Sequence, residues 1–303
     1  MKRILSGALI AAAAATTFGV PPAQAAPARL PAKPPPGGAV QAVSHVVSDA
    51  EVKATKAYWT PARMKAATPL NSRGSAGISP LSIPTAAHYA GNAKVGALFS
   101  NNGKGGHFCT ASVIDSPKGT MLVTAGHCLY NASTHKYSTK VLYVPKYAAG
   151  KSPYGSYAVR KLFLTHGWLA SGDADLDFGF ATVSGRVESK TGAFSLSANQ
   201  PGYNHRVTVI GYPGKNHNSS DKPITCTVNT YKQSKYQMGF DCRGYYGGTS
   251  GSPWTMPDSS SNRTLVIGVI GGYQQGGNVD WRSYSAVFDQ DILNLFGYAM
   301  AHA

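Results

Sequence analysis

At 303 residues with 43% hydrophobic side chains, the chain can hold one large domain or two small ones around a substantial buried core. Its formal charge of +15 does not amount to a nucleic-acid surface: residues 1–80 carry nine Lys/Arg against two acids, residues 81–303 nineteen against eleven, and the later surplus is scattered. No nucleic-acid partner is therefore expected, while attraction to anionic cell walls or acidic substrates fits the charge.

The chain opens with "MKRILSGALIAAAAATTFGV", in which two basic residues precede an apolar stretch from Ile4 to Ala15. "PPAQAA" follows, with Ala23 and Ala25 spaced as small residues before a cleavage. Residues 1–25 are thus expected to be a signal peptide, and the protein to be secreted into an oxidising, extracellular setting. The apolar run is shorter than the roughly 20 residues of a membrane span, so no membrane insertion is expected.

From Ala26, "APARLPAKPPPGGA" is a linker by composition. Ser48 and Glu51 then have capping-box spacing, and Thr60-Pro61 pairs an N-cap with a proline at the first helical position, which predicts two short helices. "TPLNSRGSAGISPLSIPT" breaks all periodicity. Residues 26–84 are accordingly predicted to be a partly helical pro-segment with a cleavable hinge; the alternative is a disordered spacer.

From Lys94 onward the texture changes to short β-branched and aromatic runs punctuated by Gly, Pro and Asn, among them "KVGALFS", "TMLVTAG", "FGFATV", "RVTVIGY" and "TLVIGVIGGY". About a dozen strands with short connections predict an all-β sandwich or barrel pair over 85–303. The clear helix is terminal, at about 289–301, with Asp289 as its cap and Ile292, Leu295, Phe296 and Ala299 on one face. The four cysteines contain no C-x-x-C pair, so disulfides are favoured over a zinc site. Of three possible connectivities, the sequence-local one, Cys109 to Cys128 and Cys226 to Cys242, is expected.

"GTSGSP" at 248–253 raises the question of a nucleophile, because a serine becomes one only with a base, an orienting acid and an oxyanion site. His127 in "VTAGHC" follows an apolar strand and precedes a cysteine whose disulfide would pin the imidazole backbone. "SGDADLDFGFATV" offers Asp173, Asp175 and Asp177; only Asp177 leads directly into apolar sequence, where a buried carboxylate needs a donor such as an imidazole N–H. Gly247, Gly248 and Gly251 let the backbone turn tightly, so the N–H groups of Gly248 and Ser250 are expected to form an oxyanion hole.

The order His127, Asp177, Ser250, with "TAGHC" and "GTSGSP", resembles chymotrypsin-fold serine peptidases, and more closely the secreted bacterial branch that includes glutamyl endopeptidases. The resemblance covers about Lys94 to Phe288, and "YWTPARM" is similar to leader segments of such peptidases. It implies two six-stranded antiparallel β-barrels, at about 90–187 and 188–288, with the cleft between them. It further implies a monomeric endopeptidase acting on protein or peptide substrates through an acyl-enzyme, without metal or organic cofactor.

Three positions depart from the better-known members. Thr249 replaces the aspartate that tryptic enzymes place before the nucleophile, and Gly244 the one at the base of their primary pocket. Ile270 stands where glutamyl endopeptidases carry a substrate-binding histidine. With Gly271 and Gly272 completing the pocket, the expectation is an apolar or broad preference; Tyr245, Tyr246 and Tyr273 either line that pocket or pack as ordinary strand aromatics. The rival readings are an esterase using the same triad and a catalytically silent secreted binding protein on the same fold.

Overall fold

A computed structural model describes residues 41–74, 82–103, 105–200 and 203–303, all within a unit spanning Lys33–Ala303. The expected signal peptide, the start of the pro-segment and most of its hinge lie outside the described residues.

Six strands close the first barrel. Val95–Asn101 pairs with Gly106–Val113, which pairs with Met121–Thr124, then Gly179–Val183, Tyr157–Thr165 and Thr139–Pro145, which returns to Val95–Asn101. Every pairing is antiparallel; Leu98 faces Cys109 and Phe180 faces Val123. These strands are buried almost throughout because both of their faces are covered. Inside lie residues such as Ala111, Leu122 and Leu162; outside, the terminal helix Gln290–His302 packs Phe296 against Phe180 and Tyr298 against Phe163. Asp289 caps that helix by accepting from the Asp291 N–H at 2.9 Å.

Residues 42–67 contribute to this core. Ala42–Val46 adds an antiparallel strand to Tyr157–Thr165, with Val43 facing Leu164. The two expected helices form at Asp49–Tyr58 and Pro61–Ala66, and the Ser48 and Thr60 hydroxyls accept from the N–H groups of Glu51 and Arg63. Trp59, 5% exposed, fills the space beside Phe99 and donates its indole N–H to the Lys140 carbonyl. Val52, Met64 and Ala67 are buried with it.

The second half is built from two sheets rather than one continuous ladder. Arg206–Gly211, Ile224–Asn229, Pro253–Pro257 and Thr264–Val269 form the larger one, edged by Ala87–His88 and by the parallel strand Ser195–Leu196. Gln237–Asp241, with Tyr231–Lys232 and Arg282–Ala286, forms the smaller. Val207, Val209, Phe240, Trp254 and Ile267 make their shared core, and the Cys226–Cys242 disulfide ties the sheets together. Cys109–Cys128 joins a barrel strand to the helical turn Gly126–Leu129, so both expected pairings are present.

Candidate active site

His127 sits in that turn, immediately after the strand Met121–Thr124, and is 4% exposed. Asp177 ends a single 3-10 turn, Ala174–Leu176, that the Asp173 side chain caps. The carboxylate of Asp177 is fully buried and takes three N–H donors: His127 Nδ1 at 2.8 Å, the His127 backbone at 2.8 Å and the Gly272 backbone at 2.9 Å. A buried charge needs such compensation. An ionised carboxylate only accepts, so Nδ1 is the donor and the neutral ring leaves Nε2 as a base. Asp175 instead accepts from the Gln237 side-chain amide at 2.7 Å, which separates the three neighbouring acids by role.

Ser250 lies on a turn that only glycines can build. Gly248 and Gly251 have φ of +94° and +81°. A Cβ at Gly248 would lie 2.4 Å from the Phe108 ring, and one at Gly251 2.1 Å from the Thr110 carbonyl oxygen. The turn is clamped to the first barrel by the Thr110 N–H, which donates to the Ser250 carbonyl at 2.7 Å, and by the Thr110 hydroxyl, which donates to the Gly248 carbonyl. Thr249, Gly251 and Ser252 all donate their N–H groups to carbonyls. The N–H groups of Gly248 and Ser250 have no hydrogen-bond acceptor among the described residues. Ser250 Oγ and His127 Nε2 are shielded from solvent, and neither makes a hydrogen bond among those residues.

Residues 68–74 run along the same cleft. Thr68–Pro69 pairs in parallel with the strand carrying Phe108, and Leu70 donates its N–H to the Phe108 carbonyl at 3.1 Å. Leu70 and Asn71 share a cleft with His127. Beyond them the Arg73 side chain turns inward and is 6% exposed. Its guanidinium donates to the Tyr245 carbonyl, the Ser283 hydroxyl and the Gln275 carbonyl at 3.3, 3.2 and 3.4 Å. Burial lowers the Arg73 pKa to about 10, against the opposing pull of the Asp177 charge.

The expected pocket residues are dispersed around this guanidinium. Ile270 is buried in the second core, and its side chain would meet a Cβ on Gly276, as would the tip of Arg73. Gly271 donates to the Tyr284 carbonyl, and Gly272 is committed to Asp177. Gly244 donates its N–H to Asp280 at 3.2 Å. The Tyr245 phenol points away, into the core, and donates to the Val209 carbonyl; only its main-chain carbonyl faces Arg73. Tyr246 stacks on His217, and Tyr273 meets Tyr284 edge to face. Arg73 was not legible as a partner of Gln275 and Ser283, because it precedes them by 202 and 210 residues and meets them only through folding. Among the described residues, the His, Cys and acidic side chains gathered at metal-ligand distances are Cys109, His127 and Cys128, whose sulfurs are joined to each other and offer no thiolate.

Residues 83–286 match the trypsin family profile. A glutamyl endopeptidase of Bacillus licheniformis is 30% identical over 161 residues, covering 53% of this chain and 48% of the relative, so the match spans about half of that relative's length. Among solved structures, the protease Anisep from Arthrobacter nicotinovorans superposes with a TM-score of 0.60 at 23% identity, covering 71% of this chain and 98% of its own. The thermostable serine protease AL20 from an extremophilic microorganism gives 0.62 at 22% identity over 70% and 99%. A Glu endopeptidase in complex with MPD gives 0.60 at 17% identity over 73% and 98%. At these identities the structural likeness is one of fold, and it agrees with a closed six-stranded barrel joined to a second β half and a terminal helix. With the profile spanning both halves of the β unit, the chain belongs to the trypsin family.

Proposed function

We propose that this chain is a secreted serine endopeptidase in which Ser250 is the nucleophile, His127 the general base and Asp177 the group that orients it. The observation that carries the reading is the buried Asp177 carboxylate, which accepts from His127 Nδ1 and leaves Nε2 as the basic atom of the ring. Ser250 Oγ would attack a peptide carbonyl as Nε2 takes its proton. The N–H groups of Gly248 and Ser250, which serve no carbonyl among the described residues, would hold the oxyanion, each contributing about 2.7–4 kcal/mol in the transition state. His127 then returns the proton to the leaving amine, and water hydrolyses the acyl-enzyme.

Secretion is supported by the expected signal peptide and by two disulfides, which persist in oxidising compartments. In this reading residues 26–84 are the pro-segment, 85–303 the peptidase domain, and the working enzyme a monomer acting on protein or peptide chains. The test is intact-mass labelling with a fluorophosphonate, on both the full chain and the chain cleaved within 74–89. A single adduct on the cleaved chain that disappears in Ser250→Ala is expected. No adduct on folded, cleaved material would sink the reading and favour a silent binding protein.

A further inference from the structure

We propose that Gln237 is a positioning residue for the candidate active site: its buried side-chain amide fixes the turn that ends at Asp177 against the loop whose N–H serves the Asp177 carboxylate.

Gln237 opens the strand Gln237–Asp241 in the smaller sheet of the second half and is 1% exposed. Its side chain makes three hydrogen bonds, none of them within its own sheet. Nε2 donates to the Ala174 carbonyl at 3.0 Å and to Asp175 Oδ1 at 2.7 Å, while Oε1 accepts from the Tyr273 N–H at 2.9 Å. These partners dictate which way the amide faces. A backbone N–H only donates and a carbonyl only accepts, so rotating the group by half a turn would set donor against donor and acceptor against acceptor.

Both sides of the amide bear on Asp177. The Ala174 carbonyl that Gln237 holds also accepts from the Asp177 main-chain N–H at 3.4 Å, which closes the single turn Ala174–Leu176. On the other side, Tyr273 follows Gly272, whose N–H donates to Asp177 Oδ2 at 2.9 Å. Two successive N–H groups of one loop thus go to Asp177 and to Gln237. Gly272 leaves the space for this arrangement: at φ of +76°, a Cβ there would lie 2.3 Å from Gln237 Oε1. The same loop then runs through Gln274 and Gln275 at φ of +54° and +52°, a conformation that non-glycine residues keep only when their surroundings hold them in it.

The amide therefore acts on Asp177 through its position. Asp177 leads into the barrel strand Gly179–Val183, whereas the Gly272 N–H comes from the second half, and Gln237 spans the same gap beside them. Without the amide, the Tyr273 N–H and the Ala174 carbonyl lose this partner, and the turn and the loop are free to separate. The carboxylate then loses its fixed aim at His127 Nδ1, although none of the three Gln237 bonds goes to His127 or Asp177. A misplacement of about 1 Å in such a constellation is enough to cost about 10²-fold in rate.

The effect on turnover rests on the proposed peptidase reading, but the geometry is read without catalysis, from the proton on His127 Nδ1. In the full chain labelled at histidine nitrogen, a proton held against a carboxylate resonates far downfield, and its loss in His127→Ala identifies it. Gln237→Met keeps the bulk and removes the amide; Gln237→Glu keeps the acceptor for Tyr273 and removes the donors, and serves should the methionine variant misfold. In either, the resonance is expected to move upfield and broaden. After cleavage within 74–89, kcat should fall by roughly tenfold to 10²-fold with KM within about twofold. Met238→Ala empties buried volume from the same strand and should lower the melting temperature with the resonance unmoved. A wild-type resonance or wild-type turnover in the folded Gln237 variants overturns the assignment, and so does an equal change in Met238→Ala. A moved resonance with no hydrolysis by any cleaved chain, wild type included, keeps Gln237 as the residue that positions Asp177 and removes the peptidase reading instead.

Discussion

His127 and Asp177 are joined twice, through the ring Nδ1 and through the main-chain N–H, each at 2.8 Å. The carboxylate thus sets both the tilt of the imidazole and the position of the backbone that carries it. Asp177→Asn turns an acceptor that serves three donors into a group with one oxygen and two donors of its own. A loss in turnover of about 10⁴ is expected on the cleaved enzyme, as for other aspartates in this role. Asp175→Asn, which touches Gln237 instead, should stay within a few-fold of wild type. Equal losses in the two variants, measured as steady-state peptide hydrolysis, would mean that the orienting acid is misassigned.

Gly248→Ala should damage the site more than it damages the fold elsewhere. The new methyl would meet the Phe108 ring and the Tyr212 carbonyl, at a φ that L side chains rarely adopt. The expected result is a loss of at least about 10² in turnover, the effect of displacing one oxyanion donor, with the substrate KM much less changed. A variant that turns over as fast as wild type would remove this N–H from the mechanism.

Replacing Cys109 and Cys128 together by alanine opens a loop closed across 19 residues of sequence, for which about 3 kcal/mol of stability is expected to be lost. Because Cys128 adjoins His127, turnover should fall as well, even in material shown to be folded. Replacing Cys226 and Cys242 should cost similar stability and much less turnover, since neither cysteine adjoins His127, Asp177 or Ser250 in sequence. Urea midpoints and peptide hydrolysis on the two double variants distinguish these outcomes.

Trp59→Ala tests whether the segment before Pro84 contributes to the core. Its indole lies against Phe99 and Gly106 at 5% exposure, so about 3–5 kcal/mol should be lost from the intact chain. A loss below about 0.5 kcal/mol in urea unfolding, the scale of an ordinary surface substitution, would show that the segment only decorates the barrel.

Asp221 gives a pH signature. Burial raises its pKa above the ordinary value, against the Tyr147 hydroxyl that donates to it at 2.8 Å and the Lys215 ammonium 3.7 Å away. Between the unfolded value, about 3.9, and the raised folded one, the native state holds the extra proton. The contribution of this group to stability is therefore full below that window and declines as pH rises through it. Relative to Asp221→Asn, wild type should be favoured more at pH 3.5 than at pH 6 in urea titrations; the reverse order would contradict the assigned direction.

Much of the fold was written in short stretches. Ser48, Thr60 and Asp289 each cap the helix expected of them, because a cap is a contact between residues two or three apart. The strand runs were legible for the same reason. The strand Ala42–Val46 was not anticipated: "AVSHV" has no strong strand texture and is extended because Tyr157–Thr165 offers it a free edge. The division of the second half into two sheets also escaped, since pairing partners leave no local mark.

By itself, the sequence determined the β-rich class, the helix ends and the candidates His127, Asp177 and Ser250, all of which follow from residue type, spacing and local backbone preference. Only the tertiary structure decided that Asp177 rather than Asp173 or Asp175 meets the imidazole, that the segment before Pro84 joins the first barrel, and that Arg73 enters a pocket with Ser283, 210 residues away. These depend on which polar groups are stripped of water together. Burial obliges each to find a partner, and that partner is set by the packing of the whole chain rather than by its neighbours in sequence.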